Sequence, residues 1–259
     1  MTGIREKAMS GTPVYGAMVF EFFSSGIPAI LSQAGCEYVL YDMEHNGAGF
    51  ETLKAQAAMC RGHPIVPMAR VPASDYHFLA RALDIGMRGV MVPMVESGEQ
   101  ARAIAEATRY PPVGRRGAAF GFAHDGYGGG TPADKIAEAN TEITVIAQIE
   151  TERGLENVEE IAAVEGIDVL WVGQFDLTNF LGIPGDFDNP RFTDAVARTV
   201  AAARGHGKGL GFMVTDETWA ARARDMGFNM VAVGTDQGLL MRGVTSVLDA
   251  AKQSGSERQ

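Results

Sequence analysis

Short apolar runs rich in β-branched residues alternate with longer stretches of helical periodicity through nearly the whole chain. Eight runs read as strands: Tyr15–Phe20, Tyr38–Asp42, Ile65–Arg70, Gly89–Pro93, Thr144–Glu150, Val169–Gly173, Gly209–Val214 and Met230–Gly234. Most are apolar throughout, as in Val90-Met91-Val92. An uninterrupted apolar run of this length suits a parallel strand covered on both faces. The helical period recurs between them over Pro28–Ala34, Phe50–Arg61, Ser74–Ile85, Gly98–Thr108, Leu155–Val164, Arg191–Arg204, Asp216–Met226 and Gln237–Ala251. Ser74, Ser97 and Thr215-Asp216 stand where a side-chain oxygen caps a helix start. Gly86, Gly166, Gly205 and Gly227 stand just past helix ends, where left-handed backbone is wanted.

Eight strand–helix units within 259 residues predict an α/β fold, a (β/α)8 TIM barrel forming one domain over residues 1–259. A doubly wound open sheet shares the alternation, but no Gly-rich dinucleotide fingerprint follows the first strand. Residues 115–134 break the rhythm: they are Gly-rich, include Gly128-Gly129-Gly130 and carry little periodicity. A loop of that length in a compact domain is a candidate mobile cover over a site. Residues 252–259 read as a flexible tail.

Composition narrows the function classes. Hydrophobic residues at 46% and charged residues at 21% describe a globular chain, not a disordered one. With 22 basic against 32 acidic residues the net charge is −10, and no long basic run exists, which argues against nucleic acid and anionic membranes as partners. Anionic substrates stay open, because one arginine or a bound cation reverses the local field. The polar start and the lack of a long apolar run predict neither signal peptide nor membrane span. Cys36 and Cys60 have no metal-type spacing and suit a reducing, cytoplasmic setting.

In a barrel of this kind the active site lies at the C-terminal strand ends. Those ends carry an unusual share of polar groups: Asp42-Met43-Glu44-His45, Arg70, Gln148-Ile149-Glu150 and Gly173-Gln174-Phe175-Asp176. Gln148 and Glu150, two apart on one strand, share a face. Glu150 and Asp176 on neighbouring strand ends are candidates to hold a hard divalent cation, Mg²⁺ with Mn²⁺ or Co²⁺ also fitting; the alternative is pairing with arginines or capping of helices. His45 reads as a third ligand, a base or a plain loop histidine, with Asp42 and Glu44 beside it as candidate carboxylate partners. Arg70 ends an apolar strand and suits a substrate carboxylate or oxyanion, or else a structural ion pair with a site carboxylate. None of the five lysines ends a predicted strand, so an enolate formed here would have a metal, not an imine, as its electron sink.

Six motifs in order resemble the HpcH/HpaI aldolase family of metal-dependent, pyruvate-using aldolases: Tyr41-Asp42-Met43-Glu44-His45, Met68-Ala69-Arg70-Val71-Pro72, Val92-Pro93-Met94-Val95-Glu96-Ser97, Tyr110-Pro111-Pro112 with Gly114 and Arg116-Gly117, Gln148-Ile149-Glu150-Thr151, and Ala232-Val233-Gly234-Thr235-Asp236. The resemblance spans about Val14 to Leu240. It implies a barrel holding Mg²⁺, Mn²⁺ or Co²⁺ on Glu150 and Asp176, with His45 as base, Arg70 on the developing oxyanion, and Gln148 and the backbone at Phe175 orienting pyruvate. The implied reaction is reversible retro-aldol cleavage of a 4-hydroxy-2-oxo acid to pyruvate and an aldehyde through a metal-stabilised enolate. The resemblance also implies a homo-hexamer in which Asp84 of a neighbouring subunit tunes His45, whereas spacing alone nominates Asp42. The chain departs from the family at Gln174-Phe175, where the usual pattern has proline and a small residue, and at the bulky Phe20-Glu21-Phe22-Phe23. These departures imply an altered aldehyde pocket. A citrate-lyase β-subunit-like lyase acting on a CoA thioester and a non-catalytic oxo-acid-binding barrel are the alternative readings.

Overall fold

Each strand pairs in parallel with the next in the chain, and the last returns to the first. The computed structural model describes residues 3–256, with side chains through 253. Its strands are β1 (Val14–Val19), β2 (Tyr38–Asp42), β3 (Val66–Arg70), β4 (Gly89–Val92), β5 (Thr144–Ile149), β6 (Val169–Val172), β7 (Gly209–Met213) and β8 (Met230–Thr235). They close in chain order into one barrel, with β8 hydrogen-bonded to β1. All eight lie within two residues of the bounds the apolar runs predict.

The period-two geometry of a strand sorts the side chains into two cores. Met18, Tyr38, Leu40, Met68, Met91, Ile146, Trp171 and Met230 fill the barrel interior. Val39, Tyr41, Ala69, Val90, Ala147 and Leu170 face outward under the helices. Bulky inward residues are accommodated by glycine on the adjoining strand. A methyl group at Gly211 would run into the Trp171 indole, and one at Gly16 would meet the Tyr38 ring. Continuing each inward column by one more step reaches Asp42, Arg70 and Gln148, so these polar groups cap apolar columns.

The helices are α1 (Ile4–Met9), α2 (Ile27–Gln33), α3 (Phe50–Cys60), α4 (Tyr76–Asp84), α5 (Gly98–Thr108), α6 (Pro132–Glu142), α7 (Glu152–Glu156), α8 (Val158–Ala162), α9 (Gln174–Phe180), α10 (Pro190–Gly205), α11 (Glu217–Met226) and α12 (Asp236–Ser256). Ser97 caps α5 by accepting from Gln100 N–H, and Asp216 caps α11 by accepting from Trp219 N–H at 2.8 Å. Ser74 does not cap; Asp75 takes the N-cap position of α4. Gly205 is the last residue of α10, which His206 caps, whereas Gly227 follows the end of α11 with φ 93°. The stretch predicted as one helix over Leu155–Val164 breaks at Asn157 into α7 and α8.

Three helices have no counterpart in the sequence reading. α1 plugs the N-terminal mouth of the barrel, where the Ala8 carbonyl accepts from Asn229 Nδ2 at 2.8 Å. α6 has a Thr131 cap and Pro132 in its first turn but buries no residue, so it has no apolar stripe to betray it. α9 begins at once after β6, inside what reads as a polar strand end.

Two further expectations are corrected. Residues 252–256, read as tail, continue α12; 257–259 lie outside the described residues. The Gly-rich segment 115–134 does not cover the C-terminal mouth of its own barrel. It joins α5 to β5 and so packs on the outer flank and N-terminal rim. There Arg116 pairs with Asp84 at 2.6 Å, and the Ala123 carbonyl accepts from Arg61 Nη2 at 2.8 Å. α12 stands out from the barrel, exposing Leu240, Met241, Val244, Val247 and Leu248 along one stripe. Among the described residues no helix is long and apolar enough to cross a membrane.

The small-for-large fit inside the barrel is testable. Gly211→Ala should cost about 1–3 kcal/mol by overpacking against Trp171 and lower Tm by several degrees. Gly47→Ala, where an added methyl meets nothing within 4 Å, should leave the calorimetric Tm nearly unchanged.

Candidate active site

The C-terminal strand ends bring most of the predicted residues to one place. Glu150, just past β5, is 2% exposed. Its Oε1 accepts from Met94 N–H at 2.8 Å and its Oε2 accepts from Gln148 Nε2. Met94 holds φ 53°, a conformation uncommon for a residue with a side chain, in the turn that presents this N–H. Gly173 passes so close that an added Cβ would lie 2.7 Å from Gln148 Nε2 and collide with Glu150 Oε2. Burial pushes the Glu150 carboxyl up to about 7. The Glu44 and Asp176 carboxylates add to that rise, while the Met94 hydrogen bond and Arg70 oppose it.

Arg70, 5% exposed, divides its guanidinium. Its Nε donates to Asp42 Oδ1 at 2.5 Å, Nη1 lies 3.0 Å from Glu44 Oε2, and the group stacks over Phe20 at 5.3 Å. The buried Nη2 has no partner, and neither has Gln148 Oε1. A buried polar atom left unpaired costs about 1–3 kcal/mol, so two beside one cavity mark a place for a polar ligand. That cavity holds about 210 Å³, and Arg70, Gln148, Asp176, His45, Phe20 and Phe175 are among the residues that line it. Both readings of Arg70 therefore coexist in one side chain: two nitrogens are structural and one is free.

The carboxylate assigned to His45 by spacing is corrected. Asp42 Oδ2 accepts from the backbone N–H of His45 at 2.7 Å and does not meet the ring. The imidazole Nε2 lies 3.6 Å from Glu44 Oε2. Asp42 is thereby committed to the turn and to Arg70. Asp84 ends α4 and faces Arg116, at the opposite end of the barrel from His45. Gln174 donates from Nε2 to the Met213 carbonyl at 2.8 Å, tying α9 to β7. Phe175 is 52% exposed at the rim, edge-on to Phe187 at 5.4 Å. None of the five lysines lines the cavity.

Sequence reasoning set Glu44 beside His45 without preferring it to Asp42, and it gave Asp236 no role. Glu44 follows Asp42 by two, so period-two counting would have put it on the inner face. Asp236, at the start of α12, accepts from the backbone N–H groups of Phe20, Glu21 and Phe22 at 3.0, 3.0 and 2.6 Å and fixes the loop after β1. Only the closure of β8 onto β1 brings those groups together.

Among the described residues no cluster of three or more His, Cys, Asp and Glu surrounds a metal position. Glu150 and Asp176 are two hard oxygen donors beside a polar cavity. That donor set suits a small divalent cation whose other positions go to water and substrate oxygens.

The sequence model of the HpcH/HpaI aldolase/citrate lyase family matches residues 22–243. A 5-keto-4-deoxy-D-glucarate aldolase of Klebsiella pneumoniae is 37% identical over 224 residues, covering 86% of this chain and 87% of its own. A hydroxypyruvate/pyruvate aldolase of Deinococcus radiodurans is 36% identical over 228 residues, covering 88% and 82%. The crystal structure of an HpcH/HpaI aldolase from Desulfitobacterium hafniense superposes with a TM-score of 0.91 at 28% identity, covering 97% of each chain.

The raised Glu150 carboxyl makes cation binding pH-dependent with a definite sign. Below about 7 the group holds its proton, and a cation must displace it. Mn²⁺ affinity, read by titration calorimetry between pH 5.5 and 8.5, should fall about tenfold per pH unit below 7 and flatten above it. Glu150→Gln should bind weakly at every pH, without that slope.

Proposed function

The chain belongs to the HpcH/HpaI aldolase/citrate lyase family of carbon–carbon lyases, and within it we propose a divalent-metal-dependent class II pyruvate aldolase. It would reversibly cleave a 4-hydroxy-2-oxo acid to pyruvate and an aldehyde. One observation carries the reading: the Asp176 carboxylate, the residue of an unpartnered guanidinium nitrogen and that of an unpartnered amide oxygen line one cavity of about 210 Å³, with the Glu150 carboxylate hydrogen-bonded to the lining Gln148.

Glu150 and Asp176 would hold Mg²⁺, Mn²⁺ or Co²⁺. When bound, the cation supplies Lewis acidity that makes a proton beside the keto group removable. Gln148 and the backbone at Phe175 orient the oxo acid. His45 takes the proton of the C4 hydroxyl, directly or through water, with Glu44 beside its ring to steady the imidazolium. The C3–C4 bond breaks, its electron pair stays on C3, and a proton returned to C3 completes the methyl group of pyruvate. Nothing is oxidised or reduced. The free Nη2 of Arg70 faces the oxygen on which charge develops, where a fixed donor is worth most.

The active unit would be a homo-oligomer, a hexamer with sites at subunit interfaces. The five apolar side chains along α12 support association, since a stripe of that size is unusual on a monomer. Asp84, at the barrel end remote from its own His45, would reach a His45 ring only in a neighbouring copy. Two buried free cysteines support a cytoplasmic setting.

Metal-loaded enzyme should exchange the methyl protons of pyruvate in D₂O without any aldehyde, as followed by proton NMR. Glu150→Gln and Asp176→Asn should abolish the exchange, and borohydride with pyruvate should trap nothing on a lysine. Absence of exchange in the unmodified enzyme would overturn the reading.

The shared site has its own test. Inactive His45→Ala and inactive Asp84→Asn proteins are mixed and subunit exchange is verified by mass spectrometry. Some interfaces then pair both original residues, and activity should return. Verified exchange with no recovery would assign His45 to its own subunit's Glu44.

A further inference from the structure

On the outer flank, where α3 and α4 lie side by side, the protein keeps cations without anions. Lys54 on α3 and Arg81 on α4 line one cavity of about 310 Å³ together with Asp84, Phe122 and Tyr127. The Arg81 guanidinium lies over the Phe50 ring at 4.6 Å, and among the described residues neither Arg81 nor Lys54 meets a carboxylate. Asp84 is the one carboxylate lining this cavity, and its Oδ1 is taken by Arg116 at 2.6 Å. In a chain of net charge −10 this is a local field of the opposite sign.

The same flank is incomplete in other ways. Arg116 is 3% exposed, yet its buried Nε has no partner. Asp84 Oδ2 accepts from no group among the described residues. Phe122 and Tyr127 leave their rings exposed beside it. Unfilled hydrogen bonds next to exposed aromatic rings mark a face that a second protein surface completes.

The barrel mouth has the reverse balance. Glu44, Glu150 and Asp176 gather there, and Arg70 is the only arginine or lysine lining its cavity. Flank and mouth are therefore complementary in charge. The shared-site reading brings them together, because Asp84 lines the flank cavity and His45 lines the mouth cavity.

We propose that Lys54 and Arg81 of one subunit complete the aldehyde end of the neighbouring subunit's site, where they receive the carboxylate of a carboxylated aldehyde. The proposal rests on the aldolase and shared-site readings and adds the class of the second substrate and the groups that recognise it. The oxo-acid carboxylate is met within the subunit, and the second carboxylate is met across the interface. The Phe50 ring orients the Arg81 fork, and Lys54 adds a point charge beside it.

The test uses metal-loaded, full-length enzyme at saturating pyruvate and compares kcat/KM for succinic semialdehyde and butanal. The unmodified enzyme should favour the semialdehyde by about tenfold or more, the scale of a hydrogen bond to a charged group. The double variant Lys54→Gln, Arg81→Gln should lower that ratio about tenfold or more, and each single variant should lower it less. The ratio cancels losses common to both aldehydes, and the single variants carry the test if light scattering shows that the double variant dissociates. The double variant is then mixed with the His45→Ala protein, which is inactive but keeps both cations. All turnover in the mixture comes from His45 of the double variant, so the ratio should rise toward that of the unmodified enzyme once subunits exchange. A ratio indifferent to Lys54 and Arg81 overturns the proposal and leaves the aldolase reading standing. A ratio that falls but is not restored after exchange verified by mass spectrometry places the cations in their own subunit's site and overturns the proposed sharing. If the unmodified enzyme does not exchange pyruvate methyl protons in D₂O, the aldolase reading falls and takes the proposal with it.

Discussion

A carboxylate buried at the rim of an apolar barrel is the constraint on which the rest of this site turns. Glu150 cannot reach bulk water, and the guanidinium nearest to it is spent mainly on Asp42 and Glu44. The protein gives it hydrogen bonds from Met94 and Gln148 but no direct ion pair. That choice explains the local oddities: Met94 in a left-handed turn to aim its N–H, and glycine at 173 because any side chain would strike the carboxylate. It also leaves a negative site able to attract a cation. A direct Arg70–Glu150 pair would have satisfied the charge and closed the site.

Most of the scaffold was legible because a closed parallel barrel imposes a simple signature. Strands covered on both faces are largely apolar, and most of the eight runs were apolar throughout. Residues that break the rule at a strand's end, such as Arg70 and Gln148, then stand out as polar groups facing the mouth. Glu44 was equally legible, two past Asp42 and beside His45, but spacing alone favoured Asp42 as the partner.

What the sequence concealed depends on direction and on partners distant in the chain. Asp42 and His45 are three apart, yet the turn presents the backbone N–H of His45 to Asp42 and carries the ring elsewhere. No spacing argument resolves that difference. α6 hid because a helix with no buried residue carries no periodic stripe. The Gly-rich segment was misplaced for a topological reason: a loop leading into a strand lies at the N-terminal rim, whatever its composition suggests about mobility. Asp236 gains its meaning only when the barrel closes and brings the end of β8 beside the loop after β1.

The donor count at the site links the two ligands it would take. Two carboxylates fill only part of a divalent cation's shell, so the rest falls to water and to the oxygens of the oxo acid. An oxo acid that contributes such oxygens binds better with the cation present, and by reciprocity the cation binds better with the oxo acid present. The unpartnered Arg70 Nη2 and Gln148 Oε1 add to this dependence, because each regains a lost hydrogen bond only when a polar ligand or water enters. The aromatic rings beside the cavity make no such demand. Phe20 and Phe175 are already packed on Arg70 and Phe187, so an aldehyde body adds contact without completing anything. The unpartnered polar atoms therefore call for a polar ligand, whereas the packed rings call for none.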